Sequence, residues 1–129
     1  GGIGPDVGFI DAALRSVFAQ VRVNPARLAL AGFSDGASYA LGLGLANGDL
    51  FSHVIAFSPG FVTSPLRRGK PPVFISHGTQ DAVLPINNTS RVITPRLRAA
   101  GYDVLYREFD GPHQLLPEIA REAFAWLVK

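Results

Sequence analysis

Ser34 is flanked by Gly32 and Gly36, with Phe33 and Asp35 between, directly after the apolar residues 28–31 and before the small-residue stretch 37–46. A G-x-S-x-G element between a strand and a helix is where a nucleophilic serine sits. The turn is tight enough to strain the serine backbone, and side chains two residues either side would collide with neighbouring structure. In a chain with 14 glycines five residues carry little weight alone, and a turn serine accounts for them equally well. A serine hydroxyl is a poor nucleophile near neutral pH. It needs a base to take its proton and a third group to hold that base in the right tautomer. Asp81, in His77-Gly78-Thr79-Gln80-Asp81, and His113, in Gly111-Pro112-His113, fit those roles and follow in the order Ser, Asp, His.

Each residue has a plainer reading. Asp81 could be a turn residue or a helix N-terminal carboxylate near Ile86, and His113 could cap the last helix. Asp110 competes for His113, although three residues along a loop is a poor position from which to grip that ring. His77 ends an apolar run and reads as a hydrogen-bonded structural histidine; His53 opens a run at the far end from the site. Three histidines without clustered carboxylates make no metal motif.

These residues need a scaffold. With 129 residues, 47% of them hydrophobic and 17% charged, the chain has the apolar mass for one globular domain with a core. No apolar stretch approaches the roughly 20 residues that cross a bilayer, and residues 1–6 lack the features of a signal peptide. Nothing gives a cellular address. The absence of cysteine excludes a disulfide framework, a thiol nucleophile and thiolate metal sites. Net charge is only +2, and the cluster Arg67, Arg68, Lys70, without interleaved aromatics, reads as a solvated loop rather than a nucleic-acid contact.

Helical spacing of Val7, Ile10, Leu14, Val17, Phe18 and Val21, after Pro5 and Asp6, predicts an amphipathic helix that ends before Asn24 and Pro25. Residues 27–31, 53–57 and 72–77 are short β-rich runs suited to buried parallel strands, and 103–109 alternates as an edge strand. Residues 37–46 predict a closely packed helix and 117–129 a final one. Residues 86–100 read as a helix closed by Gly101, kinked or split at Pro95. The expectation is an α/β fold, a parallel sheet of about four strands flanked by helices. Ser34, Asp81 and His113 then each follow a strand, so topology brings them to one rim of the sheet.

The three segments in order, residues 32–36, then His77 through Pro85, then Gly111-Pro112-His113, resemble the catalytic half of an α/β-hydrolase, closest to the phospholipase/carboxylesterase-like serine esterases. The resemblance runs over nearly the whole chain. It implies hydrolysis of small or short-chain carboxylic esters: Ser34 attacks the carbonyl, His113 takes the proton, Asp81 orients His113, and an acyl-enzyme is then hydrolysed. It makes the Asp35 N–H, at the positive end of a helix, one oxyanion donor. Phe57, Leu84 and Leu115, with Phe61 and Leu116, border the expected site as an apolar pocket or as core packing. No cofactor, metal, nucleic acid or membrane span is expected, and the partner is a small ester. The full family domain carries strands ahead of the first helix, with the second oxyanion donor among them. Residues 1–129 are therefore expected to be a single hydrolase-like domain lacking those strands. Residues 27–31 would then form an uncovered edge that drives self-association or association with the N-terminal portion. Two alternatives remain open: a peptidase of the prolyl-oligopeptidase kind, and a non-catalytic binding fragment.

Overall fold

The computed structural model describes residues 17–129. Its centre is a five-stranded sheet in the order β1-β2-β3-β4-β5, where β1 is Val17–Asn24, β2 Arg27–Phe33, β3 Phe51–Phe57, β4 Val73–Gly78 and β5 Val104–Phe109. Strands β2 to β5 are parallel, and β1 pairs antiparallel with β2. Helix α1 (Asp35–Ala46) leaves β2, α2 (Ser90–Ala99) joins β4 to β5, and α3 (Pro117–Leu127) follows β5. This is the expected α/β architecture with one strand more.

The strands read as continuous apolar runs because both faces are covered. Alternation then sorts the side chains. Leu30, Val54, Ala56, Val73 and Ile75 meet α1 and α2 through Leu41, Leu45, Ile93 and Leu97. Ala29, Ala31, Ile55, Phe57 and Phe74 face α3 through Ala120, Ala123, Phe124 and Leu127.

The expected first helix is corrected in part. Its residues 5–16 lie outside the described residues, and Val17 to Val21 belong to β1. Two periodicities coexist in this segment, and Val21, buried between exposed Gln20 and Arg22, shows the period of two that prevails. Branched Val17, Val21 and Val23 favour a strand, and β2 offers a row of backbone groups for it to pair with. The reversal is made at Asn24, whose Oδ1 accepts the Ala26 N–H at 2.9 Å. The outer edge of β2 is consequently paired, not uncovered as expected.

The stretch 86–100 divides at Thr89, not at Pro95. A single 3-10 turn, Ile86–Asn88, precedes α2, and Pro95 sits inside α2. Thr89 makes the break because its hydroxyl donates to the Pro85 carbonyl at 2.9 Å while its own carbonyl accepts from both Val92 and Ile93.

Candidate active site

The carboxyl ends of β2, β4 and β5 lie along one rim. Ser34 directly follows β2 and precedes α1, with φ 62° and ψ −122°. Such a conformation is disfavoured for any residue with a side chain and persists only where its surroundings enforce it. Here the Ser34 N–H is held by the Phe57 carbonyl at 2.9 Å, and its carbonyl accepts from Ala37 and Ser38. Gly32 permits the turn: a Cβ there would run into the Gly36 carbonyl. Asp35, as the first residue of α1, presents an N–H with no acceptor inside its own helix.

Ser34 Oγ lies 2.9 Å from His113 Nε2, and His113 Nδ1 lies 2.6 Å from Asp81 Oδ2. The Asp81 side chain is wholly buried and that of His113 nearly so. Asp81 Oδ1 accepts the N–H groups of Val83 and Leu84 at 2.9 and 2.7 Å, which fixes the carboxylate plane. Because this carboxylate takes Nδ1–H, the lone pair of Nε2 is left facing the Ser34 hydroxyl. Exposed Asp110 makes no hydrogen bond to His113.

The loops bearing Asp81 and His113 are stitched together. Thr79 N–H donates to the Phe109 carbonyl and Gln80 N–H to the Gly111 carbonyl, each at 2.9 Å. Gly78 makes the approach possible, since a Cβ there would strike the carbonyl oxygens of Gly111 and Pro112. Two contributions were not legible in the sequence. Phe33, the first variable position of the pentapeptide, stacks under His113 with centroids 4.9 Å apart, and Ser58, also at positive φ, lies buried beside the turn. The motif specifies neither: the Phe33 contact joins segments distant in the chain, and the Ser58 backbone is held by the Ser76 carbonyl at 2.7 Å.

The apolar residues expected around a substrate divide. Phe57 is fully buried and packs edge-to-face on Phe74, so it belongs to the core. Alternation along β3 sends it to the α3 side. Leu84 is half-buried beside Gly60, and Leu115 is half-buried against the α3 core. A cavity of about 520 Å³ lies between Gly60, Phe61 and Arg67 on one side and α2 on the other, and none of Ser34, Asp81 and His113 lines it. His53 packs on Trp126 at the amino end of β3, far along the strand from Ser34. Among the described residues no group of three or more His, Asp or Glu could hold a metal ion, and no helix is long and apolar enough to cross a membrane.

A buried serine, histidine and aspartate in one hydrogen-bonded line at the rim of a parallel sheet define a hydrolase-type α/β fold. The sequence profile of the Esterase family matches residues 14–99, and the chain belongs to that family. It is 33% identical to the esterase PE8, superposing with a TM-score of 0.69 over 77% of this chain and 48% of that one. The fold is shared with the Bacillus cereus carboxylesterase (21% identity, TM-score 0.68, 80% of this chain and 50% of that one). It is shared also with Zea mays acyl-protein thioesterase 2 (24%, 0.60, 75% and 53%). The chain spans about half the length of these structures. No curated protein matches it significantly.

Proposed function

We propose that the chain carries the catalytic triad of a serine esterase, with Ser34 as nucleophile, His113 as general base and acid, and Asp81 as its orienting carboxylate. The observation that carries this reading is the unbroken chain of short hydrogen bonds from Ser34 Oγ through His113 to Asp81, with the serine strained at the head of α1. Family membership and the likeness to carboxylesterases support it.

In this reading Ser34 Oγ attacks the ester carbonyl carbon as its proton passes to His113 Nε2. The carbonyl electron pair moves onto oxygen, which the Asp35 N–H and the positive end of α1 stabilise. Collapse breaks the carbon–alkoxide bond, and the Nε2 proton goes to the departing alkoxide. Water then attacks the acyl-enzyme, giving its proton to Nε2, and Ser34 departs with that proton as the acid is released. Leu84 and Leu115 are the side chains proposed to meet a short acyl or alcohol group. The segment between β3 and β4 is too short to form a large lid, which favours small soluble esters.

The test is intact-mass spectrometry after incubation with a fluorophosphonate, with Ser34→Ala and His113→Ala in parallel and p-nitrophenyl acetate turnover alongside. One adduct, lost in both variants, is expected. A folded chain that takes up no adduct refutes the reading in favour of a binding fragment, and peptide-anilide cleavage exceeding ester cleavage replaces it with a peptidase.

A further inference from the structure

His77 is the penultimate residue of β4, four residues ahead of Asp81, and its imidazole is wholly buried. Its Nε2 lies 2.7 Å from the Leu84 carbonyl oxygen, which can only accept, so Nε2 bears the proton. Nδ1 lies 2.6 Å from Ser90 Oγ and accepts the hydroxyl proton. Burial pushes the pKa of the ring below its ordinary 6.5, against the opposing influence of the Leu84 carbonyl, Asp81 and Glu108 and with that of His113, so the ring is neutral at pH 7.

Nε2 also stands 3.3 Å from Asp81 Oδ2, the oxygen that holds His113. With the ring neutral this is a polar contact and not an ion pair. The turn after Asp81 therefore closes on itself. The carboxylate holds the Leu84 N–H, His77 holds the Leu84 carbonyl, and Ser90, at the head of α2, holds His77.

We propose that His77, with its proton kept on Nε2 by the Leu84 carbonyl and its ring held in place by Ser90, is a positioning residue that fixes the turn 81–84 so that Asp81 Oδ2 is presented to His113 Nδ1. The inference rests on the triad reading and deepens it. Packing alone would accept any side chain of similar volume at this position; positioning requires an N–H where Nε2 stands.

The experiment compares wild type, His77→Leu, His77→Gln and Ser90→Ala in the full chain. Thermal melts verify the fold, the rate of fluorophosphonate labelling reports Ser34, and the downfield proton resonance of His113 Nδ1–H reports its bond to Asp81. His77→Leu is expected to slow labelling about tenfold to a hundredfold, as misplacement of a catalytic group by a fraction of an ångström does, and to lose the resonance. His77→Gln, whose amide can donate from nearly the same place, restores both. Ser90→Ala, which removes the bond that holds the ring at Nδ1 without removing the ring or its Nε2–H, gives a smaller loss of both. A folded His77→Leu that keeps the wild-type rate and resonance overturns the inference; if that variant does not fold, Ser90→Ala with wild-type rate and resonance overturns it. A wild-type chain that shows the resonance but never labels refutes the triad reading instead, and the resonance in the variants still decides the role of His77.

Discussion

Gly78→Ala bears directly on how the candidate site is assembled. A Cβ at this position meets the carbonyl oxygens of Gly111 and Pro112, both rigid backbone atoms, at distances real Cβ atoms essentially never show. Relief requires the loop that carries His113 to retreat by about 1 Å, since neither carbonyl can rotate away as a side-chain tip would. That loop is anchored by the Gln80 N–H to Gly111 carbonyl bond and, just before it, by Thr79 N–H to Phe109, both at 2.9 Å, so the retreat stretches two good hydrogen bonds. Overpacking of this kind costs roughly 1–3 kcal/mol of stability. At the site, a shift of about 1 Å in His113 lengthens its bond to Asp81 or to Ser34, and misplacement on that scale lowers reactivity about a hundredfold. The assay is the second-order rate of fluorophosphonate labelling at Ser34, with urea unfolding on the same samples. A variant that labels at the wild-type rate with unchanged stability would refute the argument that glycine is required for this loop contact.

Glu108 forms a bidentate pair with Arg91, 2.8 Å on each oxygen, and accepts from Tyr106 OH. The Arg91 hydrogen bonds hold its carboxyl down at about 2. Its folded value lies below the unfolded one, so its contribution is present above pH 4.5 and drains away as pH falls toward 2. Melting temperatures measured from pH 5 to pH 2.5 should fall less steeply for Glu108→Gln than for wild type; parallel curves would contradict the assignment. Phe74→Ala removes a fully buried ring that packs on Phe57 and Trp126 beneath α3, and is expected to cost about 3–5 kcal/mol in denaturant titration.

The expectation of association rested on a bare β2 edge. β1 occupies that edge along its whole length, from Val17 opposite Phe33 to Asn24 opposite Arg27. The physical ground for self-association at that strand is thereby removed.

Local chemistry was sufficient for much of this protein. Gly32, Ser34 and Gly36 between an apolar run and a small-residue run suit a strand–turn–helix corner, because glycines two residues either side of the serine leave room for so tight a backbone. Parallel α/β topology then requires residues that follow strands to share a rim, so Ser34, Asp81 and His113 could be grouped before any distance was known. What the sequence left open are matters where two local preferences are nearly balanced or where distant backbones meet. Residues 17–23 satisfy a helical and an alternating pattern together, and the unpaired backbone of β2 tips the balance toward a strand. Thr89 rather than Pro95 breaks the chain before α2 because hydroxyl and carbonyl partners become available to it only in the folded turn. Phe57 reads in the sequence as either pocket wall or core packing, and strand alternation decides for the core, against Phe74. The support under His113 from Phe33 and the close contact at Gly78 depend on segments far apart in the chain, which composition and spacing do not encode, and the grip of His77 on Leu84 depends on the folded path of the turn between them.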